Sequence, residues 1–487
     1  MVSLFGTAAQ LAVAVRTKQI SATELVELTL QEIDRRNLAL GAIVWQPRDE
    51  ALARARQADE AIAKGADVGP LHGVPVTIKE SFAYRGSPST WGLPPLKDAI
   101  SPRTATAVER LEAAGAITIG KTNVPVLLGD WQSYNPIYGT TNNPWDLSRT
   151  AGGSTGGGAA ATAAGLGALA LGSDLNGSIR IPAHFCGVYG HKPSLELVST
   201  AGFQPGPWDG SPGYPMDLSV IGVLARSARD LALALSAVGG PGGDEARAWT
   251  WRMPAPRHTS LAGFRIGYVF DDDAAPLAPD VRALCEHTLA ALRGAGAAIE
   301  HGWPDGIDPH AQMTFGYLLG ALLTADLDRD ERERARQRFE RNPNDAFSAA
   351  AVEPHARWLH ETRRRLAYRG LWQQYFKTRD VFLLPVTVTP AFPHDHSEPI
   401  DKRVIETARG ARPYVEAIPY WMAPATLAGL PATVAPIGRT AAGLPVGIQI
   451  VAPLWEDGTS IAFADRLAEV IGGFTPPNLS APPAARP

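Results

Sequence analysis

Apolar residues recur at helical spacing along the first sixty positions. Between Thr7 and Arg16 they stand at Leu11, Val13 and Val15, and a second run passes through Leu25, Val26, Leu28, Leu30 and Ile33. A stripe of this period is what a helix with one buried face requires. Ser21 and Glu24 precede the second run as a capping-box pair, in which each side chain takes up an orphan backbone amide. An Ala-rich stretch with charges on one side, Glu50 to Ala63, predicts a third helix, so residues 1–65 read as N-terminal helices.

From Pro70 the period changes. Short runs with β-branched residues, Val74–Ile78, Ala116–Ile119 and Leu166–Leu171, predict strands, and Thr106–Ala114 predicts a helix between them. The same texture returns at Leu383–Val386, Ala432–Pro436 and Leu444–Val451. Strands alternating with helices predict a sheet covered by helices, hence the α/β class. Residues 203–217, dense in Pro, Gly and aromatic rings, predict a loop, and Gly239–Gly243 breaks the chain again. Asp326–Arg341 predicts a charged helix and Glu361–Arg379 a basic amphipathic one. A basic helix can lie on a membrane surface, but acidic residues interleave here and the apolar face has the spacing of ordinary core. Residues 475–487, rich in Pro and Ala, are expected to fray.

Composition narrows the class. At 487 residues and 45% hydrophobic content, the chain is no disordered polymer. Lys plus Arg number 45 against 49 for Asp plus Glu, so the basic excess that marks nucleic-acid binding is missing. Cys186 and Cys285 lie far apart and read as two reduced thiols. The first residues lack a basic start and apolar run, and the longest apolar stretch, Ala159–Leu171, falls short of the roughly 20 residues that span a bilayer. The expectation is a cytoplasmic protein with neither a nucleic-acid nor a membrane partner.

The most informative stretch runs from Arg149 to Ser194. It holds Ala151-Gly-Gly-Ser154-Thr-Gly-Gly-Gly158 and Gly172-Ser-Asp-Leu-Asn-Gly-Ser178-Ile-Arg-Ile-Pro-Ala183, with Leu71-His-Gly-Val-Pro-Val-Thr-Ile-Lys79-Glu80 upstream. The glycines do not end in the Gly-Lys-Ser/Thr of a phosphate loop, and they lack the surrounding unit of a dinucleotide fingerprint. A flexible linker would not lead into an apolar run. A tight loop in which the backbone approaches a reacting group fits the pattern. A serine nucleophile needs a base within reach. None of eleven histidines has a special context beyond His72, His184 and His191. A lysine serves as base if burial lowers its pKa, and Lys79 ends an apolar strand-like run.

These blocks resemble the amidase signature family of serine hydrolases. Gly152–Gly157 and Asp174-x-x-Gly-Ser178-Ile-Arg180-x-Pro-Ala resemble its two hallmark segments, and Gly73-Val-Pro-x-x-x-Lys79 its lysine motif. Lys79 precedes Ser154 by 75 residues and Ser154 precedes Ser178 by 24. Ala428-Gly-Leu-Pro431 and Gly443–Gln449 resemble its closing strands. The resemblance implies a single domain over 1–487 built on a large mixed central β-sheet with helices on both faces. Within it, 66–200 is the catalytic core, 205–375 a variable segment shaping the substrate pocket, and 376–474 the remainder of the core. It further implies that Ser178 attacks a carbonyl, that Ser154 (after a cis peptide) relays the proton, and that Lys79 is the base. The amides of Leu175, Asn176, Gly177 and Ser178 form the oxyanion hole by the same resemblance, and Thr155, Asp174 and Arg180 support the loop. Two positions depart from the family pattern: Thr155 replaces a more usual serine, and Asn176 a glycine.

The block from Leu128 to Asn135 is expected beside the triad, with Gly129, Asp130 and Trp131, together with Trp208 in the Pro-rich loop, as substrate contacts. His394 and His396 lack a third ligand at metal spacing, so neither a metal nor another cofactor is expected. The reading is an amidohydrolase acting on a small-molecule amide-type substrate, as monomer or homodimer, with esters, anilides and carbamates as related substrates. The alternative is the glutamine-hydrolysing subunit of a tRNA-dependent amidotransferase. A binding protein that kept the fold is a third reading, opposed by the occupied triad positions.

Overall fold

The computed structural model describes residues 2–206, 216–307 and 312–479. Its centre is an eleven-stranded mixed β-sheet covered by helices on both faces. In chain order the strands are β1 (Ile43–Trp45), β2 (Pro75–Lys79), β3 (Ile117–Thr122), β4 (Leu169–Asp174), β5 (Tyr189–Lys192), β6 (Val220–Ala225), β7 (Arg265–Tyr268), β8 (Ala298–His301), β9 (Val381–Pro385), β10 (Ala432–Arg439) and β11 (Pro445–Val451). Across the sheet they run β1-β3-β2-β4-β6-β5-β10-β11-β9-β7-β8. β2 is parallel to both β3 and β4, β7 is parallel to both β8 and β9, and the strands between are antiparallel. Every residue of β2, β4 and β11 is buried, as strands covered on both faces must be.

The predicted helices form with shifted ends. α1 (Ala8–Arg16) is capped by Thr7, and α2 (Ala22–Leu40) starts on the Ser21/Glu24 capping box and ends on Gly41 in the left-handed region. α3 spans Arg48–Ala63 and α4 Thr106–Ala113. The charged helix is Arg329–Arg341, capped by Asp328, and the basic one begins earlier than expected, at His355, running to Tyr375. The glycine run corrects an expectation. Only Gly152 and Gly153 lie in a loop, because Gly156–Gly158 form the first turn of α5 (Gly156–Ala163). A β-carbon on Gly157 would stand 2.5 Å from the Asn123 nitrogen, so the helix lies against the end of β3 as only glycine allows. No helix among the described residues is long and apolar enough to cross a membrane.

Candidate active site

The parallel pairing of β2 with β4 brings the lysine and serine motifs together. Ile78 lies opposite Leu171, so Lys79 emerges beside Gly172 and Ser173. Lys79 is fully buried. Its Nζ donates to Ser154 Oγ at 2.7 Å and to Ser173 Oγ at 2.9 Å. Burial pulls the ammonium down to about 7, with the Asp174 charge working against it. A base of that strength is half neutral near physiological pH.

Ser154 follows a cis peptide bond from Gly153. Thr155 joins the two serine loops: its N–H donates to the Ser178 carbonyl at 3.1 Å, and its Oγ1 to the Ser173 carbonyl at 3.2 Å. The threonine thus keeps the hydroxyl of the serine it replaces. Its methyl group fits because the facing residue is Gly172, where a β-carbon would lie 2.6 Å from Thr155 Cγ2. Ser154 and Ser178 are both buried, Ser178 with 8% of its surface open.

The segment from Asp174 to Arg180 is organised around a buried ion pair. Asp174 accepts the N–H groups of Gly177 (2.8 Å), Ile179 (3.1 Å) and Arg180 (3.3 Å) and two guanidinium donors of Arg180 at 2.9 and 3.0 Å. Burial alone would raise the Asp174 carboxyl, but the Arg180 charge and hydrogen bonds outweigh it and hold it at about 2. Arg180 also donates to the Met422 carbonyl, Gln449 Oε1 and Thr426 Oγ1. Gly177 has φ +90°, and a β-carbon there would meet Met422 at 2.7 Å. Its N–H, grouped above with the oxyanion donors, is committed to Asp174. The N–H groups of Leu175, Asn176 and Ser178 remain, and no acceptor among the described residues takes them.

The residues expected to touch substrate are placed unequally. Gly129 is exposed at the end of a short turn. The Asp130 carboxylate accepts from Arg403 Nη1 and the Tyr414 hydroxyl, both at 2.6 Å, so its oxygens face protein donors. Trp131 is half-buried and donates from Nε1 to the Asn176 carbonyl at 2.8 Å. Trp208 lies outside the described residues. The histidines sit apart from this chemistry: His72 faces the Ala58 carbonyl, His184 the Gly447 and Thr389 backbone, and His191 Thr433 and Asp457. His394 and His396 are 5.5 Å apart by ring centre, with His396 stacked on Tyr134. Among the described residues no three metal-ligating side chains converge.

Sequence reasoning missed Ser173, Arg403 and Tyr414. Ser173 had a signal, since with Asp174 it ends an otherwise apolar strand. Arg403 and Tyr414 flank a small hairpin (Val404–Thr407 with Gly410–Pro413) some 270 residues from Asp130, and nothing local in the sequence ties them to it.

The comparisons with known proteins converge. An acylamidase of Rhodococcus erythropolis is 32% identical over 455 residues, covering 92% of this chain and 91% of its own. A glutamyl-tRNA(Gln) amidotransferase subunit of Thermosynechococcus vestitus is 31% identical over 471 residues, with 91% and 93% covered. The crystal structure of a bacterial aryl acylamidase of the amidase signature family superposes with a TM-score of 0.79 at 24% identity, over 96% of each chain, which speaks for the fold. The amidase family model matches residues 24–460, and on that span the chain belongs to the amidase family, whose members hydrolyse C–N amide bonds.

Proposed function

We propose that the protein hydrolyses linear carboxylic amides through a covalent acyl-enzyme on Ser178. The observation that carries this reading is the 2.7 Å hydrogen bond from a buried Lys79 to Ser154 Oγ, next to the loop that presents Ser178. Ser178 Oγ attacks the carbonyl carbon. Its proton passes to Ser154 Oγ as the Ser154 proton passes to neutral Lys79 Nζ. The N–H groups of Leu175, Asn176 and Ser178 face the developing oxyanion. Collapse breaks the C–N bond, and the leaving amine takes the proton back from Lys79 through Ser154. Water then cleaves the acyl ester by the reverse relay and releases the acid. Twelve tryptophans in the chain and the 32% identity to an acylamidase favour an apolar or aryl substrate, with anilides, esters and carbamates as neighbours of the same chemistry.

Hydrolysis of a matched panel tests the reading: a short aliphatic amide, an anilide, an aryl carbamate, a peptide amide and glutamine, each with wild type and Ser178→Ala. Cleavage of the anilide or carbamate that Ser178→Ala abolishes is expected. Wild-type rates in Ser178→Ala or Lys79→Ala would sink the relay. The second reading, a glutamine-hydrolysing subunit, draws on the 31% identity to a component of an amidotransferase. Activity on glutamine alone, with a companion protein co-purifying, would favour it. As to localisation and assembly, we read the chain as a cytoplasmic, single-domain monomer or homodimer.

A further inference from the structure

The segment Asp130–Gln132 touches both halves of the site. Gly153 lies so close beneath it that a β-carbon there would stand 2.4 Å from the Asp130 carbonyl oxygen and 2.6 Å from the Gln132 nitrogen. On its other side Trp131 Nε1 donates to the Asn176 carbonyl at 2.8 Å. The Asn176–Gly177 peptide is therefore held at both ends, its C=O by Trp131 and its N–H by Asp174 Oδ1 at 2.8 Å. Because a peptide unit is planar, two anchors fix its plane. That in turn restricts the N–H groups of Asn176 and Ser178 on either side.

Trp131 is braced from behind. Its ring meets Tyr414 edge-on at 5.4 Å, and the Tyr414 hydroxyl donates to Asp130 Oδ1. Arg403 binds Asp130 Oδ2, with side chains 1% and 7% exposed, and reaches Tyr134 through Nη2 at 2.8 Å. Gln132 pairs through its carboxamide with both the N–H and the carbonyl of Asp395, at 3.0 and 2.6 Å. A buried charge so fully partnered suits a brace better than a substrate ligand.

We propose that Trp131, braced by Tyr414 and the buried Asp130–Arg403 pair, is a positioning residue: its indole N–H sets the orientation of the oxyanion loop and so acts on the transition state rather than on substrate binding. The proposal rests on the acyl-enzyme reading above. Trp131→Phe keeps an aromatic ring and removes the N–H. With the fastest amide of the panel, kcat falls about 10- to 100-fold while KM stays within about threefold. The second-order rate of Ser178 labelling by a fluorophosphonate, whose phosphoryl oxygen occupies the same hole, falls by the same factor as kcat/KM. Tyr414→Phe gives a smaller loss in the same direction, and the double variant loses less than the product of the two, because both act through one ring. Wild-type kcat and labelling rate in Trp131→Phe, a rise in KM alone, or a lowered melting temperature with kcat unchanged would each overturn the proposal. An inert Ser178→Ala beside a fully active Trp131→Phe overturns the positioning role only, whereas an active Ser178→Ala overturns the acyl-enzyme reading beneath it.

Discussion

Ser173 gives Lys79 a second hydroxyl acceptor at 2.9 Å, beside the one at Ser154. A hydroxyl oxygen facing Nζ favours the charged ammonium. Removing it in Ser173→Ala should therefore lower the pKa of Lys79 and move the rising limb of the pH–rate profile to lower pH. In the wild type that limb should centre near the value of about 7 that burial imposes, since only the neutral amine accepts a proton. A profile flat from pH 6 to 9 would remove lysine as the base. The same burial makes the residue costly. Below pH 7 the folded chain carries a desolvated ammonium, so Lys79→Met should lose turnover by orders of magnitude and yet unfold at pH 6 no more easily than wild type, as a urea midpoint would measure. The resemblance to the amidase signature family singled out Lys79, Ser154 and Ser178, because their neighbours in sequence carry the distinctive glycines and prolines of its blocks. It was silent on Ser173, whose partner is set by strand pairing.

At the scale of elements, the close fit between β4 and the loop before α5 depends on one glycine and one methyl group. Gly172→Ala should be destabilising by about 1–3 kcal/mol, because its β-carbon would overlap Thr155 Cγ2. Thr155→Ser in the same chain should restore part of the loss, and denaturant unfolding of the single and double variants measures it. The ion pair within the Asp174–Arg180 loop is less forgiving. Arg180→Ala leaves Asp174 charged and wholly buried, a change expected to cost about 3–5 kcal/mol. Periodicity placed the early helices and the strands bounded by proline and glycine well, since one buried face writes a regular pattern. It misjudged the glycine run, where Gly156–Gly158 form a helix against their propensity because tight packing on β3 wins. It also had no means of giving the strand order, in which β4 lies between β2 and β6 and the chain crosses the sheet before closing on β10 and β11.

Across the whole molecule, three buried lysines share one direction. Lys79 and Lys192 are pulled down to about 7 and Lys121 to about 8, each first by burial. Between those values and the ordinary lysine range the unfolded chain binds protons that the folded chain does not. Stability should therefore rise from pH 7 toward pH 9.5, and urea midpoints that fall over that window would contradict the burial of these amines. The network around Arg180 carries a different consequence. Its guanidinium reaches Met422, Thr426 and Gln449, more than 240 residues further along the chain. Lys79, Ser154 and Ser178 all leave the ribosome well before those partners do. A growing polypeptide, or a proteolytic fragment ending before residue 420, would hold Lys79, Ser154 and Ser178 over a loop whose anchoring arginine has nothing to grip on that side. On the acyl-enzyme reading proposed above, a fragment ending before residue 420 is expected to turn over no amide, as assay of the truncated chain would show.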